Sequence, residues 1–138
     1  MKAIIKWLDG VSFEGSSESG HSVIMDGAPE SGGKNLGMRP MEMLLLGMGG
    51  CTSYDVITIL KKSRQDIKDC RAEITAERSE SIPKVFTKIH IHFILEGHDL
   101  AAPAVQRAIN LSATKYCSAS IMLEKSVMIS NDFEIIER

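Results

Sequence analysis

The segment from Pro40 to Gln65, PMEMLLLGMGGCTSYDVITILKKSRQ, constrains this chain more than any other. It lacks period-two alternation and is rich in Met and Leu. It opens on a proline, which suits a first helical turn because its missing N–H would have no partner there. Lys61, Lys62 and Arg64 put positive charge at the far end, where the helix dipole favours it. These features predict one long helix. Its first half is apolar almost all round, so it needs cover on most sides. A small sheet and a shorter helix can hardly provide that, whereas a second copy of the chain can. The segment therefore predicts an intertwined homodimer.

Three glycines, Gly47, Gly49 and Gly50, crowd Cys51 inside this helix. Each costs roughly 1 kcal/mol relative to alanine in a helix interior. One reading is close approach of another backbone, or a kink. A second is that the missing side chains open a pocket at Cys51. The two are compatible.

The remaining pattern is short strands and one more helix. KAIIKWL alternates, Asp9-Gly10 signals a hairpin, and VSFEG and HSVIM follow as strands. APESGGKNLGMR reads as a flexible, glycine-rich loop, a mobile lid near Arg39. In CRAEITAER, Cys70, Ala72, Ile74 and Ala76 face one way. In VFTKIHIHFIL, Val85, Thr87, Ile89, Ile91, Phe93 and Leu95 form the inner face, with Lys88, His90 and His92 outside. HDLAAPAVQRAINLSATKY predicts a helix capped by Asp99, with Val105, Ala108, Ile109, Ser112 and Tyr116 along one stripe. SASIMLEKS adds a short helical turn and VMISNDFEII a last strand. The order predicts a single domain over residues 1–138, α+β with an antiparallel sheet.

Composition narrows the function. The 138 residues carry 16 basic and 18 acidic side chains, a net charge of -2, so no basic excess points to nucleic acid. The opening residues alternate in place of forming an apolar leader, and no run approaches the ~18 apolar residues of a membrane span. Three widely spaced cysteines do not resemble a secreted disulfide framework. A soluble cytoplasmic protein with reduced thiols is expected, with neither nucleic acid nor membrane as a partner.

Cys51, Cys70 and Cys117 are each explicable as small core residues. Cys51 stands out for the company upstream, Arg39, Pro40 and Glu42. An arginine and a carboxylate can orient a polar group above a thiol, and arginine favours the reactive thiolate. Glu42 and Cys51 are nine residues apart, a rise of roughly 13 Å and about half a turn of phase on a straight helix. They share a site only if the helix breaks at the glycines or Glu42 comes from the partner chain. His90 and His92 have metal-ligand spacing but no third ligand nearby, and solvated strand histidines are the default. Cys51, Cys117 and a histidine lack the C-x-x-C spacing of a zinc site. No metal or cofactor is expected.

RPMEMLLLGMGGCTSYDV and INLSATKYCSASIML, with Cys51 in one and Cys117 in the other, resemble the OsmC/Ohr family over essentially the whole chain, especially an OsmC-like branch carrying P-M-E and G-G-C. The resemblance implies mostly antiparallel sheets wrapped around long central helices in an intertwined homodimer. It also implies reduction of apolar organic hydroperoxides. Cys51 would be the peroxidatic thiolate and Cys117 the resolving thiol, with a dithiol, often lipoyl-linked, as reductant. The family's peroxidases place a glutamate directly after the proline, where this chain has Met41, with Glu42 one residue later. They also place an arginine in the early strand–loop region, whereas residues 10 to 34 contain none. Arg39 and Glu42 are the candidates to replace that pair. A binding protein for an apolar molecule, or a redox sensor, are the alternatives with the same fold.

Overall fold

The computed structural model describes all residues, Met1–Arg138. The chain has six strands, in two three-stranded sheets, and three α-helices: β1 (Ala3–Asp9), β2 (Ser12–Ser17), β3 (Ser22–Met25), α1 (Pro40–Lys62), β4 (Asp66–Arg78), β5 (Phe86–His98), α2 (Ala102–Leu111), α3 (Ser118–Leu123) and β6 (Met128–Glu137). The chain divides into two compact units, Met1–Leu46 and Gly47–Arg138.

The first unit is the antiparallel meander β1-β2-β3 with the loop that follows it. Gly10, at φ 53°, makes the tight β1–β2 turn. The loop is tied down, against the expectation of a loose lid. The carboxylate of Asp26, a buried side chain, accepts from the backbone N–H groups of Gly27 (2.7 Å), Lys34 (3.1 Å) and Leu36 (3.1 Å). Gly33 and Gly37 lie against backbone: an added Cβ would overlap the Gly27 and Ile24 carbonyls. Asp26 is the only buried side chain among residues 1–46. Ile4 and Trp7 are 69% and 63% exposed, and Ile5, Leu8, Leu36, Leu44 and Leu46 are also exposed.

The second unit has a true core. β4 alternates as its sequence predicts, with Cys70, Ala72, Ile74 and Ala76 on the more buried face. Ile89, Ile91, Phe93 and Leu95 of β5 are buried with Met48, Val56 and Leu60 of α1 and Val105, Ala108 and Ile109 of α2. Val85 and Thr87 do not join this face. The β4–β5 register shifts between Glu77 and Arg78, which breaks the alternation just where β5 begins. β6 pairs with β5 in parallel, not antiparallel. The chain leaves β5, crosses through α2 and α3, and re-enters in the same direction, as a crossover demands. Three of the four strand pairings in the molecule are antiparallel.

α1 runs unbroken through all three glycines. Gly49 is buried, and a Cβ there would come 2.7 Å from Ile74 Cδ1, so this glycine admits β4. Nothing lies within 4 Å of a Cβ at Gly47 or Gly50. By length and composition alone α1 is apolar enough to cross a membrane, a property that a core helix shares. Its middle carries Thr52 and Asp55, and a carboxylate at bilayer depth is costly.

Candidate functional site

The helix α1 presents Cys51 and Asp55 four residues apart, hence on one face and one turn removed. Cys117 reaches the same place from the other end of the unit. After α2 the helix widens into a π turn over Ser112–Tyr116, then stops, and Cys117 caps α3. The extra residue per π turn shifts the helical phase. Ser112 therefore stays buried with the α2 stripe, whereas Tyr116, expected on that stripe, is half exposed. The predicted cap of α2 is also different. Asp99 adopts a left-handed φ of 50°, and Ala101 precedes the helix without a side-chain cap.

The Cys51 and Cys117 sulfurs and a carboxylate oxygen of Asp55 all lie within 4.8 Å of one another. Cys51 is partly exposed and Cys117 fully buried, and both thiols are free. Burial pushes the Cys117 thiol above its ordinary pKa, with a smaller push from the neighbouring Cys51. Ser120 pulls the other way, its Oγ–H (3.1 Å) and its N–H (3.4 Å) both donating to the sulfur. Ser112 Oγ–H donates to Asp55 (3.0 Å), and the Ser112 and Thr52 hydroxyls are bonded at 2.8 Å. These buried hydroxyls lock α1 to the π turn and fix the carboxylate beside the sulfurs. Asp55 also lines a cleft of about 410 Å³, with Ile59, Leu111 and Tyr116 as apolar wall and Lys62 and Arg107 as cations.

Arg39 and Glu42 belong to the first unit, and their side chains are engaged locally. Glu42 Oε1 accepts from the backbone N–H of Arg39 (2.8 Å), a helix-capping contact, and the Arg39 guanidinium donates to Asn35 Oδ1 (2.8 Å) and the Gly37 carbonyl (3.1 Å). With α1 unbroken, the first of the two expected routes joining Glu42 to Cys51, a break at the glycines, is absent. Cys70 stands apart. Burial, and then the adjacent Asp69 carboxylate, push its thiol up to about 11. His90 and His92 both hydrogen-bond Asp132 Oδ1, at 2.9 and 2.7 Å, on the outer sheet face.

Asp55 and Ser120 carry no distinctive signal in the sequence, and Ser112 is legible there only as a member of the buried α2 stripe. The only available signal was C-x-x-x-D on a predicted helix, which any solvated acidic residue would also give.

Three comparisons bear on this geometry. The model of the family described as "OsmC-like protein" matches residues 32–131. Protein YhfA of Escherichia coli K12 is 49% identical over 136 residues, covering 99% of this chain and 98% of YhfA. Among solved structures, a hypothetical protein from Aquifex aeolicus VF5 superposes with a TM-score of 0.87 at 28% identity, covering 99% of this chain and 96% of its own. The organic hydroperoxide resistance protein OhrB of Bacillus subtilis shares the fold at a TM-score of 0.64 and 17% identity, covering 97% and 98% of the two chains.

Proposed function

The chain belongs to the OsmC-like protein family, and from that premise we propose that it reduces organic hydroperoxides with a two-thiol centre. One observation carries the reading: a partly exposed Cys51 and a buried Cys117, distant in sequence, hold their sulfurs within 4.8 Å of one another. The Cys51 thiolate attacks the outer peroxide oxygen, the O–O bond breaks, and alkoxide leaves to be protonated as alcohol. The sulfenic acid left on Cys51 then meets the Cys117 thiol. A disulfide forms and water departs. The sulfurs close from within 4.8 Å to the roughly 2.05 Å of an S–S bond by side-chain rotation. A dithiol, lipoyl-linked by family resemblance, returns the pair to thiols. The apolar side of the cleft at Asp55 suits an alkyl peroxide.

The same reading includes a homodimer. A unit with one buried side chain among 46 residues has no core of its own, and its exposed Ile, Leu and Trp side chains are the kind a second copy would bury. In that assembly Arg39 and Glu42 of the partner subunit orient the peroxide above Cys51. Cytoplasmic reducing conditions fit three unpaired cysteines. Met41 at the family's glutamate position favours a second reading, an apolar-ligand binding protein or redox sensor with little turnover.

The test mixes reduced protein with a slight excess of cumene hydroperoxide and counts free thiols. Loss of two thiols per chain, abolished by Cys51→Ser, is expected, with turnover on adding dihydrolipoamide. Unchanged thiols would move the assignment to ligand binding, and fast oxidation without turnover to sensing.

A further inference from the structure

We propose that the reduced Cys51–Asp55–Cys117 cluster is a binding site for a thiophilic divalent cation, zinc above others. Three donor atoms within 4.8 Å of one another are close to the separations set by zinc–sulfur bonds of about 2.3 Å and zinc–oxygen bonds of about 2.0–2.2 Å in a tetrahedron. Side-chain adjustments of about an ångström would bring all three to one ion. C-x-x-C spacing is not needed. One helical turn of α1 supplies two ligands and the cap of α3 supplies the third.

The surroundings favour a cation. No lysine, arginine or histidine forms an ion pair with Asp55. Two sulfurs and a carboxylate, partly or wholly buried, thus sit together with no cation bonded to any of them; Lys62 and Arg107 line the neighbouring cleft without pairing with Asp55, and a divalent ion would supply the charge that the donor set lacks. The supporting hydrogen bonds are those of a ligand set. Ser112 Oγ–H holds one Asp55 oxygen and leaves the other free, and Ser120 donates twice to the Cys117 sulfur. Two thiolates select zinc over magnesium or calcium. With three protein ligands the fourth position falls to water or a small anion, and Asp55 borders a cleft that admits one.

Coordination expels the thiol protons, so affinity falls with acidification. Oxidation by an organic hydroperoxide consumes both thiolates and two protons, yields disulfide, alcohol and water, and removes two of the three donors, so the ion leaves. The metal-bound and disulfide states exclude each other.

The test titrates metal-free full-length protein, reduced with a phosphine, with Zn²⁺ against a chromophoric chelator, and with Co²⁺ as a spectroscopic probe. One Zn²⁺ per chain and a thiolate-to-cobalt charge-transfer band are expected. Cys51→Ser should weaken Zn²⁺ at least about 100-fold, and Asp55→Asn, which keeps the side chain's shape, about 10–100-fold. A His90→Gln/His92→Gln double variant should bind as the parent does. Absence of stoichiometric Zn²⁺ binding, a cobalt complex without the charge-transfer band, or loss confined to the histidine variant would overturn the proposal. None of these readouts uses peroxide, so they stand apart from the thiol-consumption assay.

Discussion

The pair Gly47 and Gly50 offers a test whose sign distinguishes a lone protomer from a dimer. In a single chain a Cβ at either position meets nothing within 4 Å, and both residues are exposed. Gly→Ala at an exposed helix interior gains about 1 kcal/mol from propensity and reduced freedom of the unfolded chain. A Gly47→Ala/Gly50→Ala variant of a monomer should therefore gain about 2 kcal/mol. For 138 residues that corresponds to a rise of about 7 °C in Tm. If a partner backbone packs against these glycines, the added methyl groups push it away and the same variant loses stability. Homodimerisation also makes the parent's Tm rise with protein concentration. We expect a lowered Tm for the double variant and a shift toward monomer in sedimentation velocity. Gly49→Ala is the internal control. Its Cβ meets Ile74 Cδ1 at 2.7 Å within the protomer. Overpacking of about 1–3 kcal/mol against a propensity gain of about 1 leaves a small loss without any change in assembly. A gain near 7 °C for the double variant, with the sedimentation of the parent, would refute the argument for a close helix contact across this face.

Two further outcomes follow from buried polar groups. Asp26 has its carboxyl pKa lowered, first by the Leu36 N–H, then by Gly27 and Lys34 and by the charge of Arg39, against an opposing push from burial. With the folded pKa below the unfolded value of about 3.9, its stabilisation is complete above that value and is lost as pH falls through the folded pKa. Urea midpoints measured from pH 6 down to pH 2 should fall less steeply for Asp26→Asn than for the parent, and parallel curves would contradict the assignment. Ser112→Ala leaves the Thr52 hydroxyl and Asp55 without their shared partner in the interior. It should cost about 1–3 kcal/mol in equilibrium urea unfolding, whereas Ser118→Ala, at an exposed position, should be nearly silent.

Periodicity reports which way a side chain faces, and that much was legible. Cys70, Ala72, Ile74 and Ala76 on β4, Ile89 to Leu95 on β5, and Val105 to Ile109 on α2 all lie where a period of 2 or 3.6 puts them. What failed to show depends on partners remote in sequence. The parallel direction of β6 is set by the crossover through α2 and α3, and nothing in VMISNDFEII encodes it. Tyr116 left its stripe because the π turn changes the residues per turn, a property of packing and not of local propensity. The loop after β3 is rich in glycine, which suggested looseness. Yet Gly33 and Gly37 are small because backbone passes directly over them, and Asp26 gathers N–H groups up to ten residues away.

The two cysteines were legible by their contexts, but their neighbourhood was not. Asp55 is one polar residue among several on α1, and only the return of the chain at Ser112 and Cys117 makes it a neighbour of both sulfurs. The reverse holds for Glu42. Its position upstream of Cys51 suggested chemistry, and within the protomer its carboxylate caps α1. A capping carboxylate can still serve a partner's site, because Oε1 alone is occupied by the Arg39 N–H. The chain thus carries one carboxylate beside its thiols and another at the head of the same helix. If the partner brings Glu42 toward Cys51, two acids would flank one thiol pair, so either a cation or the arginine beside Glu42 must balance them. That requirement links the assembly, the metal proposal and the peroxide chemistry through one quantity, the net charge around Cys51.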